Sequence, residues 1–326
     1  MATYKGIQGY SVQKLSSDPT AANVEGQLWY NSTSGAFKVS VAGSGAWAAS
    51  NPLNTARQGA AAFGIQTAAI CAAGNLPAAR NVCESYDGTS WATVNNVNDG
   101  VKSLGGSFGT QTAGIKAGGV TPPITNQTET WDGTCWSNST NLQTAIGDSS
   151  SGTGVSTAGI IAGGYIPGPG DSKVAQTWDG TSWASANSAN TARGSVARGG
   201  ITKNTALIAG GNVVPRALTE IYDGTSWSEK ADMNSGRANR SGGGPSTATL
   251  ACGGTPPTTD VVEKWDGTSW TEVAVLSAVR YNVGGGSNSP ATSNIVFGGS
   301  TLAGPSTAVT EEWNDPVYTA KTVTVS

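Results

Sequence analysis

A six-residue motif that returns along most of the chain limits its fold more than any other feature. The pattern Tyr/Trp-Asp-Gly-Thr-Ser/Cys-Trp is complete five times, and a broken copy begins at Trp313. The complete copies are Tyr86–Trp91, Trp131–Trp136, Trp178–Trp183, Tyr222–Trp227 and Trp265–Trp270. Successive copies begin 43 to 48 residues apart. Such a period is typical of four-stranded propeller blades or of two-helix solenoids.

Each repeat predicts four β-strands and no helix. The units are rich in Gly, Thr, Ser and Asn and lack an apolar stripe with a 3.6-residue period. In one unit the prediction places strand a after Arg193, strand b at 204–209, strand c at 217–222 and strand d at Trp227. Asp-Gly between two aromatic strands indicates a hairpin, because both residues tolerate positive φ. Paired glycines after strand b, such as 210–211, indicate close approach of backbones near an axis.

The spacing after each motif predicts how the last blade closes. Trp183 lies ten residues before Arg193, and Trp47 lies ten residues before Arg57. Trp47 therefore marks a fourth strand without three strands before it, whereas the last repeat has three strands and a degenerate fourth. The sequence predicts six blades, the last completed by the N-terminal strand around Trp47, which removes an open sheet edge. The C-terminal strand at 320–326 is the alternative for that place, or an additional edge strand.

Side chains that recur in the repeats have structural interpretations. Six tryptophans are predicted to pack between blades, since each indole can bury a large area: Trp47, Trp91, Trp136, Trp183, Trp227 and Trp270. The hairpin aspartates are predicted to form turns, because one carboxylate per hairpin does not supply the converging oxygens of a calcium site. Cys71 and Cys252 are predicted to be buried among small apolar residues, and a Cys71–Cys83 disulfide is left open.

A wider set of residues resembles the kelch repeat. The set consists of Gly-Gly, then Glu-x-Tyr/Trp-Asp, then the motif tryptophan, then an arginine ten residues later, in six consecutive copies from about 45 to 315. The arginines are Arg57, Arg193, Arg237 and Arg280. Lys102 and Ile146 lie near the arginine position in two copies, and Gln176 replaces one glutamate. The resemblance implies a kelch-like β-propeller, a fold that chiefly serves as a binding scaffold.

Two segments before the repeats, YKGIQGYSVQKLSSDP (4–19) and GQLWYNSTSGAFKV (26–39), carry a second resemblance. Together with the WDGTSW repeats they resemble structural and fibre-like proteins of marine tailed phages. The second segment predicts a β-hairpin around Asn-Ser-Thr-Ser-Gly. Residues 1–25 lack an apolar core and are predicted to be flexible or ordered by a partner. The domain prediction is an N-terminal docking arm at 1–44 and a six-bladed propeller at 45–326.

Composition narrows the chemistry. The chain has no histidine, which excludes Ser-His-Asp machinery and imidazole-ligated copper or zinc. A net charge of −3 without a basic run argues against nucleic-acid binding. We expect no membrane span and no signal peptide, since no apolar run has the required length. We therefore expect no cofactor, no metal and no enzymatic activity, with a glycosidase using carboxylates such as Asp171 or Asp260 as the least favoured alternative.

The loops between strands b and c are the predicted recognition face, because they vary between repeats and are stiffened by proline. They cover residues 75–80, 120–127, 165–173, 212–219, 255–260 and 300–309. Tyr165, Arg216 and Asp260 are the predicted contacts. The expected function is a virion structural protein, assembled in the host cytoplasm as a capsid decoration, fibre or tail component. Its arm would dock on other virion proteins, with homo-oligomers allowed, and its propeller would bind a host-surface glycan or protein. A free carbohydrate-binding propeller is the alternative.

Overall fold

The computed structural model describes residues 12–19, 26–43, 45–75, 81–99, 104–120, 123–148, 151–238, 241–301, 304–315 and 318–324. Within these ranges the regular structure is entirely β, in seven four-stranded sheets and one two-stranded hairpin. The predicted all-β class is confirmed. The chain divides into two compact units, Met1–Ala46 with Asp315–Ser326, and Trp47–Asn314. In the part of the chain that is described, no helix has the length and apolarity needed to cross a membrane.

The strands, in chain order, are β1 (Gln13–Leu15), β2 (Leu28–Asn31), β3 (Ala36–Ala42), β4 (Ala46–Ser50), β5 (Ala61–Ile65), β6 (Ala68–Ala72), β7 (Cys83–Tyr86), β8 (Trp91–Val94), β9 (Gly106–Thr110), β10 (Ala113–Val120), β11 (Ile124–Trp131), β12 (Trp136–Ser139), β13 (Thr153–Val155), β14 (Ala158–Ala162), β15 (Tyr165–Ile166), β16 (Gly170–Asp171), β17 (Ala175–Trp178), β18 (Trp183–Ala186), β19 (Ala197–Thr202), β20 (Thr205–Ala209), β21 (Thr219–Tyr222), β22 (Trp227–Lys230), β23 (Ser241–Gly243), β24 (Leu250–Gly254), β25 (Thr259–Trp265), β26 (Trp270–Val273), β27 (Gly284–Gly285), β28 (Ser293–Phe297), β29 (Thr310–Asn314) and β30 (Tyr318–Thr322).

The small unit contains one sheet built from both ends of the chain, in the order β1-β2-β3-β30. Strands β2 and β3 form the predicted hairpin, with Asn31 opposite Ala36, and β1 runs parallel to β2. Trp29 is only 1% exposed, and its indole N–H donates to Asp18 Oδ1 at 3.0 Å. Residues 1–11 and 20–25 of the predicted arm lie outside the described residues.

The C-terminal segment is where the domain prediction and the structure differ. The prediction assigned it to the propeller, but β30 pairs with β3, with Lys321 opposite Val39. The physical reason is that the fourth place in the last repeat sheet is taken by β4, which lies beside β29. The edge of β3 instead offers β30 the backbone partners that a strand needs. Residues 315–326 therefore belong to the small unit.

The large unit contains six four-stranded sheets, named sheets I to VI in the order of their first strands. Sheets I to V are β5-β6-β7-β8, β9-β10-β11-β12, β13-β14-β17-β18, β19-β20-β21-β22 and β23-β24-β25-β26, and sheet VI is β27-β28-β29-β4. First strands of successive sheets contact one another, and β27 also contacts β5. Strands β15 and β16 form an extra hairpin after the second strand of sheet III. Each sheet thus has the strand order predicted for a propeller blade.

Aromatic rings from neighbouring sheets meet edge to face. Phe63 of sheet I contacts Trp136 of sheet II with ring centroids 6.2 Å apart, and Phe108 of sheet II repeats this contact with the next tryptophan. Each phenylalanine requires a glycine on the facing strand. A Cβ at Gly114 would lie 2.2 Å from the Phe63 ring, and one at Gly159 would lie 2.2 Å from the Phe108 ring. The phenylalanine and the glycine of the next repeat therefore form one packing unit.

The acceptor of the indole N–H hydrogen bond differs between the motif tryptophans, and for four of them it follows from the residue found on the preceding sheet. Trp91, Trp183 and Trp270 each donate to a threonine hydroxyl on the third strand of the preceding sheet, at 2.9 to 3.1 Å. For Trp227 the corresponding residue is alanine, and the indole donates to the carbonyl of Asn187 at 2.9 Å. Where alanine replaces the threonine, a backbone carbonyl thus accepts the bond, because a buried donor without an acceptor is costly.

The paired glycines lie where two backbones approach closely. A Cβ at Gly253 would lie 2.4 Å from the carbonyl oxygen of Arg280, and the amide of Gly254 donates to that oxygen at 3.0 Å. Gly299 likewise donates to Arg57 at 2.8 Å, which joins sheet VI to the connection that enters sheet I. The close approach that the sequence predicted at these pairs is confirmed.

Arg198 projects from the first strand of sheet IV to the first strands of other sheets. Its guanidinium donates to the carbonyl of Ser107 in sheet II at 2.8 Å, to that of Gly285 in sheet VI at 3.3 Å, and to that of Ala62 in sheet I. Burial lowers the pKa of this guanidinium to about 10, still well above neutrality. One buried cation therefore ties the first strands of four sheets together through backbone oxygens.

The cysteines are free in the structure, and no disulfide joins Cys71 to Cys83 among the described residues. Cys71, Cys83 and Cys252 are buried, and desolvation raises the pKa of each thiol to about 12. They are packed in the apolar core as small hydrophobic side chains.

Candidate functional site

The connections that enter the first strands pass through residues in the left-handed backbone conformation. Two residues after the repeated arginine, φ is 62° at Gly59, 58° at Ser195 and 55° at Asn282. In two connections without that arginine, φ is 64° at Leu104 and 53° at Asp148. This conformation favours Gly, Asn and Asp, and is uncommon for other residues. We call these the turn positions.

Backbone hydrogen bonds link the turn positions of different sheets. The amide of Leu104 donates to the carbonyl of Gly59 at 2.8 Å, and that of Ser195 donates to Asp148 at 3.0 Å. The amide of Gly59 donates in turn to the carbonyl of Asn282 at 2.9 Å, between the connections that enter sheets I and VI. These backbones are therefore fixed by the scaffold, and their side chains are available for another role.

The side chains at the turn positions differ between the two halves of the large unit. Sheets I and II have Gly59 and Leu104, whereas sheets III, IV and VI have Asp148, Ser195 and Asn282. The three polar turn positions border a cavity of about 320 Å³. This cavity, which we call the basin, is lined by Asp148, Ser195, Asn212, Arg216, Ala238, Thr255, Pro256, Tyr281 and Asn282.

Two of the basin side chains are held together directly. The hydroxyl of Ser195 donates to Asp148 Oδ2 at 3.0 Å, alongside the backbone bond between the same two residues. The Asn282 side chain is fixed separately, because its Nδ2 donates to Gln58 Oε1 at 3.1 Å. The carboxylate, the hydroxyl and the amide are thus oriented without a ligand.

Asn212 links the loop of sheet IV to the rest of the basin. Its Oδ1 accepts the amide of Gly194 at 2.8 Å, and its Nδ2 donates to Asp171 Oδ1 at 2.7 Å. Asp171, one of the carboxylates suggested for a glycosidase, therefore lies behind Asn212 and holds it in place. Among the described residues, no three His, Cys, Asp or Glu side chains form a group suited to a metal ion.

Arg216 brings a positive charge to the basin. The residue is partly buried, and its Nε atom is buried without a hydrogen-bond partner among the described residues. Its backbone carbonyl accepts the amide of Arg237 at 3.2 Å, which anchors the loop beneath it. The basin therefore has the Arg216 guanidinium and the Asp148 carboxylate around one small cavity.

The structure separates the three residues predicted as contacts. Arg216 lines the basin, and so does Tyr281, a further aromatic residue outside the hexapeptides. Tyr165 is 41% exposed in the extra hairpin and is not a lining residue. Asp260 belongs to β25, and its backbone carbonyl accepts the amide of Leu276 at 2.9 Å. The loops between second and third strands supply only part of the basin.

The remaining lining residues come from the connections between sheets, which the loop-based prediction did not include. Asp148, Ser195 and Asn282 share a fixed place in the repeat, two residues after the arginine position. Polar residues and glycine at an aligned position are the sequence signal that indicates a left-handed turn. Their meeting with Arg216 from a different loop is decided by the tertiary structure.

The strand order and the packing between sheets define a β-propeller-like scaffold. The same fold is found in a solved structure titled "Structure of YjhT", with a TM-score of 0.65 over 82% of this chain and 99% of that chain. The two sequences are 11% identical, so the likeness concerns the fold alone. No family model and no curated protein matches the chain.

Proposed function

We propose that the chain is a structural protein of a phage particle, docked through its small unit and presenting a six-bladed kelch-type propeller to the host surface. The resemblance of segments 4–19 and 26–39 to marine phage proteins gives the location. An apolar face of the small unit, described below, is the observation that supports docking. The proposal makes the protein a binding component of the virion, without catalysis.

Exposed apolar side chains are concentrated on one face of the small sheet. Residues paired across an antiparallel ladder share a face, so Tyr30 and its partner Phe37 lie on the same side as Val41. Lys14 and Lys321 lie on this side too, since they pair with Tyr30 and Val39. Five large exposed apolar side chains follow this alternation: Val12, Leu28, Phe37, Val41 and Val323. We call them the apolar face.

The centre of the opposite side of the same sheet is buried. Trp29, Asn31 and Ser40 point to that side by alternation, and each is less than a tenth exposed. Phe37, by contrast, is 48% exposed. An apolar sheet face left open to water is typical of a surface that another protein covers. We assign it to a second virion protein that offers an apolar surface, and self-association is an outcome of the test.

Incorporation into particles tests this assignment. Particles carrying the double variant Phe37→Ser/Val41→Ser should contain at least about tenfold less of the protein by mass spectrometry, because buried apolar contacts dominate such interfaces. The matched control is Ile201→Ser/Val275→Ser, which removes exposed apolar side chains (44% and 51% exposed) from the large unit. The control variant should be incorporated like the wild type.

Three results would contradict the proposal. Absence of the wild-type protein from purified particles removes the virion role. Unchanged incorporation of Phe37→Ser/Val41→Ser removes docking through the apolar face. Dimers of the free wild-type chain that this variant abolishes would assign the face to self-association instead.

The blade count and its closure are part of the proposal. Six sheets with the predicted strand order, the contact of β27 with β5 and the place of β4 beside β29 support a ring of six blades sealed by the N-terminal strand. A closed ring has no open sheet edge, which protects the protein against edge-to-edge aggregation.

A free carbohydrate-binding propeller is the second candidate, and the basin is the observation that favours it. The two candidates differ in where the protein is found, since the second one requires no particle. Mass spectrometry of purified particles and of the particle-free lysate separates them.

A further inference from the structure

The chemistry of the basin indicates the kind of ligand that it can take. Asp148 accepts hydrogen bonds, Arg216 donates them, and Ser195, Thr255 and Tyr281 can do both through their hydroxyls. Apolar surface is limited to Ala238, Pro256 and the tyrosine ring. A ligand that fits must therefore carry several groups that donate and accept at once.

Other small ligands fit the basin less well. A small anion would be attracted by Arg216 and repelled by Asp148 in the same cavity. A hard cation needs several oxygen ligands, of which the basin offers one carboxylate. An apolar ligand would displace water from the Arg216 guanidinium without offering it an acceptor. A neutral molecule with adjacent hydroxyl groups meets none of these penalties, because each hydroxyl can donate to Asp148 and accept from Arg216.

The volume limits the size of such a ligand. At about 320 Å³ the basin lies at the lower end of the range for small-molecule sites. The cavity accommodates one sugar ring, with Tyr281 providing an aromatic surface for its C–H face.

The basin is also organised before any ligand binds. The bonds from Ser195 to Asp148 and from Asn282 to Gln58 fix three of the polar groups. The left-handed backbone at these positions is part of the scaffold in sheets I and II as well, where the side chains are not polar. The polar groups therefore stand on a rigid support, which lowers the entropic cost of binding a small ligand.

We propose that the basin binds one neutral monosaccharide unit, with Asp148 accepting from its hydroxyls and Arg216 and Asn282 donating to its oxygens. This inference rests on the proposed function, in which the propeller meets a host-surface glycan, and it names the part of the glycan that is recognised.

The test is titration of the purified full-length protein with the methyl glycosides of glucose, galactose, mannose and N-acetylglucosamine. Saturation-transfer NMR and calorimetry should show at least one of them binding with a Kd of about 0.1–10 mM, as expected for a single small polar ligand. Glucuronic acid and inorganic phosphate serve as the anionic comparison.

Two pairs of variants localise the binding. Asp148→Asn and Arg216→Gln should each weaken binding at least about tenfold, since each removes a charge-assisted hydrogen bond. Asn also tolerates the left-handed conformation, so the first variant keeps the fold. The matched controls are Asp232→Asn, at an exposed carboxylate outside the basin, and Lys203→Gln, in the turn at the other end of sheet IV. Both controls should bind like the wild type.

The inference is overturned if none of the four glycosides binds at about 50 mM, a concentration well above the expected Kd. It is also overturned if only glucuronic acid or phosphate binds, or if the basin variants bind as the controls do. These readouts need no particle. If the protein is incorporated into particles but binds no sugar, only this inference is contradicted. If it binds sugar but is not incorporated, only the virion role is contradicted.

Discussion

At the scale of single residues, the repeated arginine and glutamate form buried ion pairs in four of the sheets. The pairs are Arg57–Glu84, Arg193–Glu220, Arg237–Glu263 and Arg280–Glu311. Each glutamate also accepts backbone amides from the connection before its sheet, as Glu220 does from Asn190 at 2.7 Å. The pair thus fixes the connection to the sheet, because both charged groups are buried and the glutamate binds the backbone of the connection as well as the arginine.

The two departures from this pattern are consistent with charge pairing. In sheet III, Ile146 and Gln176 replace both members, and the Gln176 side chain exchanges hydrogen bonds with the backbone of Thr144 at 3.1 Å. In sheet II the arginine position is 102, outside the described residues. There Lys116 is buried and lies directly opposite Glu129 across β10 and β11. In sheet III the two charges are therefore absent together.

Removal of one partner should cost more than removal of both. We expect Arg193→Ile to lower the free energy of unfolding by about 3–5 kcal/mol, because it leaves the Glu220 carboxylate buried and uncompensated. The double variant Arg193→Ile/Glu220→Gln, which copies sheet III, should recover a large part of this loss. Urea unfolding of the three proteins measures both values. If the double variant were as unstable as the single one, the charge-pairing explanation would be wrong.

At the scale of the element, the hairpin between third and fourth strands is the unit that recurs most closely. Each hairpin aspartate accepts two backbone amides two and three residues later, as Asp179 does from Thr181 and Ser182 at 2.8 and 2.7 Å. These bonds lower the pKa of the aspartate below its usual value in all five complete motifs. The same two hydrogen bonds thus recur in all five hairpins, and they support the turn role that the sequence predicts for the aspartate.

The lowered pKa makes these turns sensitive to acid. The unfolded aspartate titrates near pH 3.8 and the folded one below it, so the stabilisation is complete above that value and is lost as the pH falls through the folded pKa. Asp179 has two additional hydroxyl donors, Thr181 Oγ1 at 2.8 Å and Ser182 Oγ at 3.0 Å. We expect Asp179→Asn to unfold at a lower urea concentration than the wild type at pH 6. The difference between the two urea midpoints should be smaller at about pH 2.5. A difference in midpoint that does not change with pH would contradict the role of the ionised Asp179 carboxylate in the turn.

At the scale of the whole molecule, the proposed closure depends on β4, which lies beside β29 in sheet VI. The rings of Trp47 and Trp313 lie 5.6 Å apart, and the Trp47 indole donates to the carbonyl of Ala274 in the neighbouring sheet V at 3.0 Å. Strand β4 thus replaces the degenerate fourth strand of the final repeat.

Truncation tests this closure. The fragment 45–315 keeps β4 and should unfold in one cooperative transition. The fragment 52–315 lacks β4, so it should lose more than about 3 kcal/mol, the cost of removing a large packed aromatic residue, and aggregate through the open edge of β29. Equal stability of the two fragments, measured by thermal unfolding and light scattering, would remove β4 from the closure.

Much of the architecture could be predicted because it is periodic. The hexapeptides, the paired glycines and the ten-residue spacing each act locally, through turn chemistry and strand alternation, and each recurs often enough to exclude chance. The inter-sheet place of the motif tryptophans follows from the same repetition, since the same large side chain returns once per unit.

The basin could be predicted only in part. Arg216 was found because it lies in a loop that varies between repeats. Asp148 and Asn282 lie in connections whose sequences resemble the connections that enter the other sheets. Whether their side chains line a cavity depends on the residues that face them in the folded chain. Arg198 is a stronger example, because nothing near it in sequence indicates that its partners lie in sheets I, II and VI.

By itself, then, the sequence determined the strands, their turns and the content of each sheet, since these depend on residues close together in the chain. The tertiary structure decided where the two ends of the chain pair, which polar side chains share a cavity, and which carbonyls Arg198 binds. These contacts join residues far apart in sequence, and their energy depends on the distance between groups, which only the folded chain sets.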